Sequence, residues 1–353
     1  MHRAADGGLA RIRIPGGRLP SSAFQAIADA AVALGDGSIE LTSRANLQIR
    51  GLAPGAEYGL AERLAAAGLL PSLTHERVRN IMASPLAGRP ARELVGDLDR
   101  LLCARPGLAD LPERFLFAID LAWPDADVAA VLVDPDTAAI RLAGMDVGLR
   151  VPRSAVVATM LACAEAFLAV REEEWRIAEL EGGAELVAGT AMNATFSAVG
   201  ASNVAFIAPL GPIPQGDGLV AVGAAVSLGR LTPDQAAALV EVPEVVITPW
   251  RGVVVPDLQP REAEVVADRL RAAGLLLDPD EPGVRVSACT GRPGCAKALA
   301  DVRADAAAMI ESGEVPELPV HWSGCGRRCG RPRGMAIDVV ATEDGYAVTK
   351  EAR

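Results

Sequence analysis

A chain of 353 residues has room for two or three domains, or for one large body with a shared core. Half of its residues are apolar and 22% are charged, which argues against long disorder, and a net charge of −11 argues against a general nucleic-acid binder. No apolar run reads as long enough to cross a bilayer, and residues 1–9 carry no apolar export segment, so a cytoplasmic protein with no membrane or nucleic-acid partner is expected.

The first elements follow one another closely. Residues 9–15 alternate as a strand, Gly16-Gly17 breaks it, and Pro20-Ser21-Ser22 starts a helix over 23–34. Residues 38–42 and 46–52 alternate again as strands, and a helix over 57–67 is stopped by Gly68. A middle region, about 89–211, is predicted to hold a helix over 91–103, strands over 114–122, 129–134 and 138–142, and a long helix over 153–170. Residues 207–218 are rich in Pro and Gly and read as a linker.

The opening pattern then returns. Leu60-Ala-Glu-Arg-Leu-Ala-Ala-Ala-Gly-Leu-Leu70 recurs as Val266-Ala-Asp-Arg-Leu-Arg-Ala-Ala-Gly-Leu-Leu276, an offset of 206 residues from Gly68 to Gly274. The same offset aligns Leu41-Thr42 with Ile247-Thr248 and Val78-Arg79 with Val284-Arg285. This is a duplicated unit rather than a short-period solenoid. Each copy reads strand, helix, strand, strand, helix, which is half of a ferredoxin-like α/β layer, and two copies can pair across a pseudo-twofold axis. The C-terminal part is predicted to form a helix over 296–310 and two strands over 335–341 and 346–350.

There are six cysteines. Cys103 and Cys163 fall in helix-like apolar stretches and read as small buried hydrophobes. The other four make two tight pairs, Cys289-Thr-Gly-Arg-Pro-Gly-Cys295 and Cys325-Gly-Arg-Arg-Cys329. Both pairs sit in glycine-rich loops, where exposed N–H groups can face sulfur. In a cytosolic chain such pairs bind metal more often than they form disulfides. Four converging thiolates suit a 4Fe–4S cluster. A four-cysteine zinc site is the main alternative, although a five-residue gap is wide for one. The helix predicted straight after Cys295 would add its N-terminus to the favourable field.

At this point the motifs resemble a known superfamily. The two cysteine pairs and the duplicated half-domain are similar to those of the sirohaem sulfite and nitrite reductases. Leu41-Thr-Ser-Arg44-Ala-Asn46-Leu-Gln48-Ile-Arg50 resembles their first-repeat tetrapyrrole-binding motif, and Arg79-Asn80 resembles the Arg-Asn of their second. Within the superfamily, His321-Trp-Ser-Gly-Cys325 and Thr248-Pro-Trp-Arg251-Gly resemble signatures of the precorrin-3B synthase family. In the place of a reductase segment carrying two lysines stands Leu111-Pro-Glu-Arg114-Phe-Leu116, which keeps one cation and loses the other.

The resemblance implies an α+β fold of duplicated ferredoxin-like half-domains around a pseudo-twofold axis, with two sulfite-reductase-like α/β lobes. The expected boundaries are 1–80, 81–211, 212–280 and 281–353. It implies a 4Fe–4S cluster on Cys289, Cys295, Cys325 and Cys329. It also implies oxygen-dependent hydroxylation and γ-lactone formation on precorrin-3A, giving precorrin-3B in aerobic cobalamin biosynthesis. Arg44, Asn46, Gln48, Arg79, Arg114 and Arg251 are the expected contacts to a polycarboxylate tetrapyrrole. O2 and an external electron donor, a reductase or ferredoxin, are the implied partners. A separate mononuclear non-haem iron is implied as well. With histidine so scarce, His75 and His321 are its candidate ligands, against the plainer readings of a surface His75 and of a His321 that donates a hydrogen bond to the cluster from just outside its ligands. The alternatives are a small sirohaem-dependent sulfite or nitrite reductase and a non-enzymatic Fe–S redox carrier or sensor.

Overall fold

The computed structural model describes residues 2–193, 200–201, 208–216 and 218–352. The fold is α+β, and its strands fall into four sheets among the described residues. Two of these are the predicted duplicate. In the first, the spatial order is His2–Ala4, Gly7–Ile12, Leu47–Leu52, Ile39–Leu41, Arg230–Leu231. In its counterpart the order is Gly211–Pro214, Val220–Ala225, Gly252–Leu258, Glu244–Ile247, Arg18–Pro20.

The last strand of each sheet comes from the other copy. Arg18–Pro20 pairs antiparallel with Glu244–Ile247, and Arg230–Leu231 pairs antiparallel with Ile39–Leu41. The turns that redirect these strands match. Gly16 and Gly17 have φ of 67° and 73°, while Leu228 and Gly229 have φ of 52° and 66°. Gly17 is the tighter case, because a methyl group there would overlap the Ile247 carbonyl oxygen of the other copy.

Helical spacing fills the space between the two sheets. Ser21–Leu34 buries Phe24, Ile27 and Ala31, and Pro260–Ala272 buries Ala263, Val266, Ala267 and Leu270. Residues of both copies, from Ile12 to Leu277, form one contiguous core. The helix Pro233–Val240 starts at a capping box in which Thr232 and Gln235 bond reciprocally.

The middle lobe is a six-stranded sheet, ordered Gly200–Ala201, Met145–Pro152, Thr137–Leu142, Val128–Leu132, Phe117–Ile119, Ile81–Ala83. Helices Arg89–Cys103, Val156–Val170 and Gly183–Met192 cover one face. Met82, Ala118 and Ala129 make a smaller apolar layer on the other. The expectation that no apolar run reaches membrane length needs correction. Arg153–Val170 spans 18 residues at a hydropathy of 1.6. Half of that window is buried, and Val156, Met160, Cys163, Ala164 and Phe167 point into this core.

The fourth sheet runs Val286–Ala288, Val320–Ser323, Met335–Thr342, Gly345–Ala352, with helix Val302–Ser312 against it. That helix is shorter than predicted. It begins at Val302 with Asp301 as its cap, so Cys295 does not sit at a helix N-terminus. The backbone just after Cys295 is occupied elsewhere: Leu299 N–H donates to the Gly324 carbonyl, and the Ala300 carbonyl accepts from Arg292 N–H.

Candidate functional site

Val286–Ala288 and Val320–Ser323 are parallel neighbours, so both strands release their following loops at the same edge of the sheet. The first loop carries Cys289 and Cys295, and the second carries Cys325 and Cys329. The ladder continues into them, with Cys289 N–H donating to Trp322 O at 2.9 Å and Gly324 N–H donating to Cys289 Sγ at 3.2 Å. All four cysteines line one cavity of about 550 Å³. Burial, together with Cys289, Cys325 and Cys295 close by, pushes the Cys329 thiol up.

Small residues make this convergence possible. A methyl group on Gly324 would meet Ala298 Cβ at 2.7 Å, and one on Gly294 would meet Thr290 Cγ2 at 2.6 Å. Arg3, Arg50, Lys297 and Arg327 add positive charge to the cavity wall. Arg50 binds Asp6 through two contacts, 2.9 and 3.0 Å, and donates to the Gly294 carbonyl at 2.7 Å. The donor set is four thiols, which suits a 4Fe–4S cluster or zinc. Among the described residues no three or more His, Cys, Asp or Glu side chains close on a single metal ion.

A second cavity, of about 450 Å³, opens beside the first sheet and is lined by Arg11, Arg13, Arg44, Arg114, Glu113 and Trp175, among others. Arg11, on the strand Gly7–Ile12, and Arg13, just past its end, both line this cavity. Arg44 is turned out by a tight loop in which Thr42 Oγ1 accepts from Arg44 N–H and Asn46 N–H, with Ala45 left-handed at φ 53°. The second copy builds the same turn, with Arg251 left-handed at φ 58° and Thr248 Oγ1 accepting from Gly252 N–H.

The guanidiniums in this cavity are under-compensated. Arg13 is 4% exposed, donates to Arg77 O from one terminal nitrogen, and buries the other without a hydrogen-bond partner. The structure gives the side chains of Arg44 and Arg114 no hydrogen-bond or ion-pair partner among the described residues. Burial and nearby cations, Arg11 for Arg13 and Arg176 for Arg44, push both guanidiniums down to about 10. Such a site favours an incoming anion.

A polar chain along the first sheet joins the two cavities. Arg11 Nε donates to Gln48 Oε1 at 3.0 Å, and Gln48 Nε2 donates to Glu40 Oε2 at 3.1 Å. Buried Glu40 faces Arg303 at 2.6 Å and Arg50 at 3.9 Å, and Arg50 reaches the cysteine loop.

Residues 2–67 and 212–273 match the model of the nitrite/sulfite reductase ferredoxin-like half domain. The two matched stretches fall on the two copies of the duplicated unit. Over nearly its whole length it is similar to two curated enzymes. One is a ferredoxin–nitrite reductase of Synechococcus elongatus, 28% identical over 402 residues, covering 96% of this chain and 78% of the relative. The other is a precorrin-3B synthase of Sinorhizobium sp, 25% identical over 378 residues, covering 98% and 80%. Among solved structures, the NirA protein of Mycobacterium tuberculosis has the same fold, with a TM-score of 0.79 at 20% identity over 97% of this chain and 73% of that one.

Within this half-domain framework the expected site residues separate into groups. Arg44, Asn46 and Arg114 line the arginine cavity. The Asn46 amide is committed to the fold, accepting from Ile14 N–H at 2.9 Å and meeting Asn80 at 3.5 Å. Gln48 belongs to the connecting chain instead. Arg79 lines neither cavity: it is 3% exposed and clamped by Asp99 at 2.7 and 2.8 Å and by Glu76 at 3.3 Å. Arg251 leans the other way, towards the cysteine lobe, donating to Gly330 O at 3.1 Å.

The two histidines are not brought together. His75 bonds Ser72, Thr74 and the Arg105 carbonyl. His321, fully buried, bonds Ser287 Oγ at 2.9 Å and the Cys329 carbonyl at 3.2 Å. Burial and Arg251 push its imidazole down to about 4, so it is neutral at pH 7 and braces the second cysteine loop. Sequence reasoning missed Arg11, Arg13 and Trp175. The Arg11-x-Arg13 alternation along an otherwise apolar run was the available signal for the first two.

Proposed function

We propose that this chain is an oxidoreductase of aerobic cobalamin biosynthesis that hydroxylates precorrin-3A and closes a γ-lactone to give precorrin-3B. The observation that carries the reading is a cavity of guanidiniums that lack a facing carboxylate ion pair, joined by a polar sheet face to a cavity lined by four thiols. Similarity to a precorrin-3B synthase over 98% of the chain supports it.

Cys289, Cys295, Cys325 and Cys329 would hold a 4Fe–4S cluster, which supplies electrons one at a time. The chain's own residues do the rest. Arg11, Arg13, Arg44 and Arg114 bind substrate carboxylates and fix the macrocycle's orientation by charge-assisted hydrogen bonds. Arg50 and His321 hold the two cysteine loops in register. O2 and an external reductase or ferredoxin complete the reaction in the cytoplasm.

A sirohaem-dependent nitrite or sulfite reductase is the second reading, favoured by the comparable similarity to ferredoxin–nitrite reductase. Leu116 weighs against it, since it is 1% exposed and part of an apolar layer where a reductase would need a cation. Incubating anaerobically prepared holoprotein with precorrin-3A, reductant and isotopically labelled O2 tests the proposal. Labelled hydroxy-lactone is the expected product. Unchanged precorrin-3A, with a sirohaem absorption band in the purified protein, would establish the reductase instead.

A further inference from the structure

We infer that Trp175 is a ligand-contacting residue: its indole lies against the flat conjugated face of the anionic ligand whose carboxylates enter the arginine cavity. This deepens the reading above and rests on it. Trp175 is 45% exposed, and its side chain lines the same cavity as Arg11, Arg13, Arg44 and Arg114. A large aromatic ring held half in water beside four guanidiniums has no packing reason to be there, and no ring partner is recorded for it among the described residues.

The backbone around it is fixed on both sides. Trp175 N–H donates to Glu179 Oε2 at 2.7 Å. Arg176 Nε donates to Asp127 Oδ2 at 2.7 Å and its terminal nitrogen reaches the Asp125 carbonyl. Ile177 N–H donates to Asp127 Oδ1 at 2.8 Å. Asp127, fully buried, also accepts from Leu116 N–H at 2.9 Å, two residues beyond Arg114. One carboxylate thus ties the strap bearing Trp175 to the segment bearing Arg114, so ring and cations are presented as one preorganised surface. Guanidiniums select carboxylates, whereas an indole face selects a planar π-system, and together they fit a carboxylated macrocycle better than a small inorganic anion.

The test uses full-length holoprotein and two probes, the octacarboxylate porphyrin uroporphyrin and the ring-free tricarboxylate citrate, with affinities read by titration calorimetry. Trp175→Ala is expected to weaken uroporphyrin about tenfold, equivalent to about 1.4 kcal/mol. Citrate affinity is expected to stay within about twofold, and Trp175→Phe to recover most of the porphyrin loss. Unchanged porphyrin affinity in Trp175→Ala, or an equal loss for both probes, overturns the inference. An Arg44→Ala arm separates the two levels. If wild type binds porphyrin in an Arg44-dependent way and Trp175→Ala does not matter, only the role of Trp175 fails. If wild type binds no porphyrin, the cavity reading and this inference fail together.

Discussion

Arg79 and Arg44 lie in neighbouring motif segments, yet their surroundings assign them opposite work. The Arg79 guanidinium is buried between Asp99 and Glu76. Removing it leaves two carboxylates without their counter-charge, one of which, Glu76, burial has already pushed up to about 7. Arg79→Ala should therefore cost about 3 kcal/mol of folding stability. A thermal melt of the variant unchanged from wild type would contradict this. Arg44 makes no such pair and is crowded by Arg176, Arg11 and Arg114. Arg44→Ala should leave the melting temperature unchanged or raise it, while weakening uroporphyrin binding; a drop of several degrees would show that Arg44 is structural. The sequence could place both residues in motifs but could not tell them apart. Their difference lies in Asp99, 20 positions from Arg79 in the chain and visible as its partner only once the helix Arg89–Cys103 has packed.

At the scale of elements, the longer alternating or helical segments were legible and the short buried strands were not. The strand Leu47–Leu52 and the helix Ser21–Leu34 follow the predicted bounds within about two residues, because each presents one apolar face to a one-sided core. Ile81–Ala83, Val286–Ala288 and Val320–Ser323 are three or four residues long and almost wholly buried, so no alternation marks them. Two of these carry the cysteine loops, which is why the thiol motif was readable while the scaffold beneath it was not. The strap around Trp175 gave no periodic signal either, since Asp127 holds it rather than packing. Burial lifts the Asp127 carboxyl to about 6, against an ordinary value of 3.8. Between those values the folded state binds a proton that the unfolded state does not, so this group's contribution to stability falls as pH rises from about 4 to about 6. Asp127→Asn, neutral throughout, should lose hydrogen bonds at every pH, but its deficit relative to wild type should shrink from pH 4 to pH 7. A deficit that grows over that range would mean the carboxylate is stabilised rather than penalised by its site.

For the whole molecule, the duplication visible in sequence does not convey how the two copies are joined. An offset of 206 residues says that two similar units exist; it does not say that each completes the other's sheet. The exchange of Arg18–Pro20 and Arg230–Leu231, with one core running through both copies, makes the half-domains one folding unit. A fragment of residues 1–80 would leave the Ile39–Leu41 edge unpaired and would expose Phe24, Ile27 and Leu47, which the full chain buries completely. It would also have to hold Arg18–Pro20 without Glu244–Ile247 to pair it. Such a fragment, missing half of the core it shares with the other copy, buries too little apolar surface to stabilise itself. It should show no cooperative thermal transition by circular dichroism when alone, and should gain one when mixed with a fragment of residues 208–280. Gly17→Ala, acting at the close approach to Ile247 in the intact chain, should cost about 3 kcal/mol. Its effect should spread to amide exchange in both half-domains. A sigmoidal melt from the isolated 1–80 fragment, or faster exchange confined to one copy, would mean that the strand exchange decorates two independent units instead of coupling them.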